Sequence, residues 1–220
     1  MGMPRSVMLR SALISYSELR RALGVRGALH VLADVGRRLA LGEPYRDVPP
    51  AEDARMEATR REMAPAVVLY RALCARRSED EAFAIARVIL LNASLIHLRA
   101  IYPDFVGGDF RALSGGADST GEKLNETFPF ADTRVVELSA RRSSFDVVRC
   151  RVPEALRVAG AERLAPIFCE VDGIYFPIFE PAVELKRTKT IIHGGDVCDF
   201  RLRWKAERAG AEGADGGDFV

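Results

Sequence analysis

Apolar positions in the first half of the chain recur with helical spacing. Between about Ser17 and Leu41 they fall at Leu19, Leu23, Leu29, Leu32, Val35 and Leu39, predicting a helix weakened by Gly24 and Gly27 and stopped by Gly42 and Pro44. A turn-like stretch, 43–50, precedes a charged helix expected from near Ala51. Pro65 should kink or divide that helix, because proline removes a backbone donor and clashes with the preceding turn. Its continuation carries Val67, Leu69, Tyr70 and Leu73, which places Cys74 among core residues as a small hydrophobe. Ser78 and Glu81 have capping-box spacing, so a helix should open there, run to about Ala100 and end before Pro103. Its apolar residues occupy more than one face, which makes it the expected central, most buried helix. Asn92 and His97 are its polar exceptions, and Asn92 reads either as a satisfied core amide or as a pocket donor.

The stretch 105–121 is rich in Gly, Asp and Ser and reads as a connector or lid with a short helix at most. It resembles a phosphate loop only superficially, because the glycine–lysine spacing of that motif is missing. From Thr133 the period changes to two. Arg134–Ala140 and Phe145–Val152 read as strands joined by a short polar turn. Pro153 should open a short helix that Gly160 stops. Val183–Ile192 is a further strand, His193–Asp196 a hairpin loop, and Cys198, Phe200, Leu202 and Trp204 alternate along a last strand. Helices first and antiparallel strands afterwards define an α+β class, with N-terminal helices packed on a C-terminal sheet. The expected layout is one domain over 1–206, helical in 1–130 and carrying the sheet in 131–206, with a disordered tail at 207–220.

Composition narrows the function classes. The chain has 220 residues, a formal net charge of +1 and 29% charged residues, so no basic surface argues for nucleic acid. No uninterrupted apolar run reaches the roughly 20 residues a bilayer span needs. The N-terminus is a poor signal peptide, since Glu18 and flanking arginines interrupt its apolar stretch. With four cysteines and no secretion signal, reduced thiols and a cytoplasmic location are expected. Helices with more apolar surface than one small sheet can cover make a homodimer the expected assembly.

Three of the four cysteines, Cys150, Cys169 and Cys198, lie in the last third with Asp172, Arg187, His193 and Asp199. If the strands hold, Cys198 shares a face with Phe200, Leu202 and Trp204, and Cys150 shares one with Asp146, Val148 and Val152. Three readings stand side by side. The thiols are core fillers; or they bind zinc, with water or His193 completing the shell; or Cys198 or Cys169 is a nucleophile activated by His193, an acid or an arginine. Without a Cys-x-x-Cys pair, no metal or other cofactor is expected by default. Arg187 and Lys189 alternate on their strand, either as a solvated face or, for Arg187, as a planar carboxylate clamp. Asp199 and Arg201 could pair with each other.

Four short patterns carry a family resemblance: Phe-x-Val-x-Arg-Cys at 145–150, Phe-Cys-x-x-Asp at 168–172, Leu-x-Arg-Thr-x-Thr at 185–190 and Gly-x-x-Cys-Asp-Phe-Arg at 195–201. Together they resemble the L-2-amino-thiazoline-4-carboxylic acid hydrolase family. The last is more loosely similar to vinyl-reductase-type small-molecule-binding domains. The resemblance implies a hydrolase that opens a thiazoline ring at the carbon bonded to nitrogen and sulfur, giving an N-carbamoyl-cysteine-type product. Mapped onto it, Cys198 and Cys169 become candidate nucleophiles, and Asp172 and His193 candidate proton carriers. Arg187 becomes the candidate clamp for a substrate carboxylate, with Thr190, Cys150, Asp199 and Asn92 as further binding candidates. A biosynthetic relative acting on another heterocycle, and a non-catalytic small-molecule or zinc-binding module, are the alternatives.

Overall fold

The computed structural model describes residues 5–102, 110 and 117–205. The expected tail, 207–220, and most of the expected connector, 105–109 and 111–116, lie outside them. Three long helices come first: α1 (Arg5–Ala40), α2 (Ala54–Cys74) and α3 (Glu79–Ile101). A shorter α4 (Ala117–Thr127) then occupies the end of the stretch read as a connector. The sheet contains β1 (Ala131–Leu138), β2 (Arg142–Cys150), β3 (Val183–Lys186) and β4 (Cys198–Trp204). Two helices, α5 (Arg151–Val158) and α6 (Ala165–Phe179), are inserted between β2 and β3. The strands run antiparallel in the order β1-β2-β4-β3, and the α+β class holds.

Several local expectations change. α1 starts well before Ser17 and consists of two helical arms joined at Gly24, whose φ of 72° is open to glycine at no steric cost. Pro65 does not divide α2, which runs on through it from Ala54 to Cys74. That helix has eleven buried residues, so packing compensates for the one hydrogen bond proline removes. α2, not α3, is therefore the most buried helix; α3 has five buried residues and leaves Val88 exposed. Cys74, expected in the core, is exposed at the end of α2. The capping box forms as read: Ser78 accepts from the Glu81 amide and the Glu81 carboxylate accepts from the Ser78 amide.

Among the described residues α3 is the one helix long and apolar enough to cross a membrane, by length and composition, with a mean hydropathy of 1.6 over its most apolar window. It packs against α1, α2 and α6.

Helix α6 is an element beyond those expected from the pattern. It is continuous with Gly173 and Pro177 inside it. Pro166 sits in its first turn, where proline loses nothing. Val171, Tyr175 and Phe176 bury its inner face against Phe145, Val147, Leu202 and Trp204 of the sheet, with Leu98 of α3 in the same cluster. The strand expected over Val183–Ile192 stops at Lys186 and gives way to extended chain and a 3-10 turn, Ile191–His193.

A bulge decides where Cys150 goes. Thr133 pairs with Val147 and Asp132 with Arg149, so Val148 is the extra residue of β2 and is exposed. The bulge reverses the alternation, and Cys150 packs with the core that Phe145 and Val147 build instead of sharing a face with Val148. Val152, expected on the strand, already belongs to α5. The turn into α5 is pinned by the Arg151 amide on the Phe130 carbonyl at 2.7 Å. The buried Arg151 guanidinium reaches Asp132 at 3.0 Å and Asp53 at 3.5 Å. Asp53 also caps α2 through the Met56 amide at 2.6 Å, and Arg55 of α2 shares Asp132. These contacts tie the start of α2, β1 and α5 to the position of Cys150.

Candidate active site

The sheet and α6 bring most of the motif residues together. Cys169 and Asp172 lie three residues apart on α6, on one side of the helix. Arg187 follows β3 in the inward register of Val183 and Leu185. Its Nη1 donates to Asp172 Oδ2 at 2.7 Å and its Nη2 to the Cys169 carbonyl at 2.5 Å. The guanidinium lies over the Phe200 ring, 5.1 Å from its centroid, and Phe200 stacks on Phe145 at 4.9 Å. The Arg187 and Asp172 side chains are only 14% and 13% exposed. The planar fork is thus committed to an internal acid and carbonyl, so Arg187 is not a free clamp.

Burial dominates the titration of this cluster. It pushes the Asp172 carboxyl up to about 6 even though Arg187 pulls it down. The Cys150 and Cys169 thiols rise to about 12 for the same reason, with the Val152 amide and Arg187 respectively working against the shift. Cys198 is also raised by burial, opposed by the Ile191 amide, which donates to its Sγ at 3.2 Å, and by Arg187. Each thiol feels the Asp172 charge, and Cys198 acts on both other thiols, so the four groups share one neighbourhood. Among the described residues no three His, Cys, Asp or Glu side chains form a group able to hold a metal ion. The three thiols therefore do not fit the zinc reading.

The other candidates sit elsewhere. His193 is exposed and its Nδ1 is 2.6 Å from the Thr190 hydroxyl, so these two residues close their own turn. Asp199 does not pair with Arg201. It accepts from the Thr188 and Lys189 amides at 2.9 and 2.6 Å and from the Thr188 hydroxyl at 2.7 Å. Burial raises its pKa, but those bonds outweigh it and hold the carboxyl below its usual range. Arg201 instead reaches Asp146 at 2.8 Å. Asn92 donates to the Val88 carbonyl at 3.0 Å and lines a separate recess with Ile14, Leu95, Ile96 and Phe179.

An open cleft of about 440 Å³ borders the cluster, between α5, the start of α6 and the 191–196 turn. Cys150 lines it, beside Ile191 and Gly195 from the turn that leads to Cys198. Its charged rim is Arg149, Glu154, Arg157, Glu162 and Asp196. Glu154, Arg157 and Glu162 lie outside the four motifs, because residues from four separate elements meet there. Tyr102 was missed too. It is half-buried just past the end of α3, and its hydroxyl is raised by desolvation and by the Asp172 charge. Its ring lies 4.9 Å from Tyr175, and Pro103 beside it was the signal read only as a helix stop.

The arrangement is that of an α+β protein with a thiol–carboxylate–guanidinium cluster bordering an open cleft. The chain belongs to the L-2-amino-thiazoline-4-carboxylic acid hydrolase family, which it matches over residues 57–202. That span reaches from α2 to β4 and contains every motif cysteine. No curated protein and no solved structure matches the chain.

Proposed function

We propose that the protein is a hydrolase that opens a small ring of the 2-aminothiazoline-4-carboxylate type in the cleft beside Cys150. The observation that carries this reading is Cys150 on the wall of a cleft sized for a small molecule, with Cys198, Cys169 and Asp172 in the cluster behind it, in a chain of this family. The amidine carbon of such a ring is electrophilic once the ring nitrogen is protonated. Adding water to that carbon and breaking its bond to sulfur yields a urea and a free thiol, with a proton from water ending on the departing sulfur. The step needs a group that takes and returns a proton near neutrality. Asp172, at about 6, is the buried acid of the cluster closest to that range.

In a thiolate variant of this route Cys198 adds to the amidine carbon, the ring carbon–sulfur bond breaks with a proton passing to the departing sulfur, and water then cleaves the S-linked isothiourea to give the urea and the free Cys198 thiol. The Ile191 amide already points at its Sγ and would stabilise the ionised form. Cys150, which faces the cleft, shapes the site around the reacting carbon. Arg187, steadied by the Cys169 carbonyl, holds Asp172, and the expected setting is the cytoplasm.

The test is incubation of the purified protein with L-2-aminothiazoline-4-carboxylate, following N-carbamoyl-L-cysteine by mass spectrometry and the new thiol by titration. Wild type should form both. Cys198→Ala and Asp172→Asn should lower kcat by about a hundredfold or more with the fold retained. A wild-type protein that leaves the ring intact sinks the reading, and full activity in Cys198→Ala removes the thiolate route.

A further inference from the structure

We propose that the cleft selects a zwitterionic small molecule, with Arg157 pairing its carboxylate and Glu162 pairing its cationic nitrogen end. The inference rests on reading this cleft as the substrate site. Most of the charges around the cleft are already spent. Arg149 is bound to Glu154, at 2.9 and 2.6 Å, and to Glu52. Asp196 is paired with Lys189 at 3.3 Å. Arg187, the arginine with the most obvious claim to a substrate carboxylate, is held by Asp172 and the Cys169 carbonyl. Arg157 and Glu162 are left as the charged side chains of the cleft that make no ion pair or side-chain hydrogen bond among the described residues.

Their placement follows from the chain. Arg157 is in the last turn of α5, and Glu162 opens the 3-10 turn before α6. Between them the chain reverses at Gly160, whose φ is 62°. Both side chains are exposed on the cleft, yet they do not close on each other. The walls between them and Cys150 are apolar, contributed by Pro153, Pro166 and Ile191.

A free guanidinium offers a two-pronged donor to a carboxylate, and a free carboxylate offers two acceptors to an amidinium. One cation and one anion on the same cleft rim favour a ligand with both charges over a ligand with either alone. A purely anionic ligand meets Glu162 as a like charge, and a purely cationic one meets Arg157 in the same way.

The experiment measures dissociation constants of wild type, Arg157→Gln and Glu162→Gln for three probes: L-2-aminothiazoline-4-carboxylate, its carboxamide, and the thiazoline-4-carboxylate without the amino group. Wild type should bind the zwitterion about tenfold more tightly than either single-charge probe. Arg157→Gln should erase the preference over the carboxamide, and Glu162→Gln the preference over the deaminated acid. Arg157→Lys should restore part of the first. Where the zwitterion is turned over, Arg157→Gln should raise KM by the same factor with kcat unchanged.

Equal affinity of wild type for all three probes, no binding of any, or preferences that survive both substitutions would overturn the proposal. The two readings fail separately. Preference without ring opening removes the hydrolase and keeps the zwitterion site. Ring opening with a KM unmoved by Arg157→Gln does the reverse.

Discussion

Arg187 Nη1 donates to Asp172 Oδ2 at 2.7 Å, and its other prong is held by the carbonyl of Cys169, one turn back on the same helix. The pair locks the chain after β3 to α6 and so fixes where the cysteine cluster sits. Removing one partner of a largely buried pair leaves the other charge uncompensated. Arg187→Met should destabilise the fold by about 3 kcal/mol, read as a shift in the urea unfolding midpoint. The double variant Asp172→Asn/Arg187→Met should recover part of the loss. A single variant that costs less than about 1 kcal/mol would place the pair among ordinary surface bridges.

Asp172 should also leave a signature in the pH dependence of stability. Its folded-state pKa, about 6, lies above its ordinary value of 3.8. The folded protein therefore holds the proton more tightly than the unfolded chain. The associated stabilisation is complete below about pH 4 and is lost as pH rises through about 6. The unfolding free energy of wild type minus that of Asp172→Asn should fall by about 3 kcal/mol between those limits. A flat difference would show that Asp172 titrates as an ordinary carboxylate. The subtraction matters because paired acids such as Asp34 and Asp146 are lowered and slope the other way.

Thiol chemistry separates the cysteines. Cys74 is exposed, whereas burial raises Cys150 and Cys169 to about 12 and also raises Cys198. Thiol reagents act on the thiolate, so a folded sample at neutral pH should show one fast thiol and three slow ones. Cys74→Ser should abolish the fast phase. A fast phase that persists in Cys74→Ser would mean that one of the cluster thiols ionises far more readily than its burial allows.

Helix α1 provides a paired glycine test. Gly24 has a φ of 72° and an added Cβ would meet nothing within 4 Å, so an alanine there suffers backbone strain without a clash. Gly24→Ala should cost about 1–2 kcal/mol. Gly36 is within the second arm, also with open space at its Cβ, and Gly36→Ala should stabilise by roughly 0.5–1 kcal/mol. Thermal unfolding of the two variants checks the contrast in sign, and the same sign in both would contradict the kink.

The elements readable from the chain are those whose cause is local. The Ser78–Glu81 box acts within one helical turn. The alternation of Cys198, Leu202 and Trp204 survives as the inner face of β4. The order of helices before strands, and hence the α+β class, followed from a change of hydrophobic period that needs only neighbouring residues. The resemblance carried by Cys150, Cys169, Asp172, Arg187 and Cys198 could likewise be found in linear motifs.

Long-range packing decided the rest. Pro65 and Pro177 remain inside helices because α2 and α6 bury enough side chains to offset a lost bond. The bulge at Val148 turned Cys150 inward, against the alternation of its own strand. Arg187 read as a clamp for substrate until Asp172, fifteen residues away in the chain, occupied its fork. Protonation and charge pairing depend on burial and on partners from other elements, which no local window of sequence contains. The chain by itself determined which chemical groups are present and in what order. The tertiary structure decided which of them are buried together, which are already paired, and which still face the cleft.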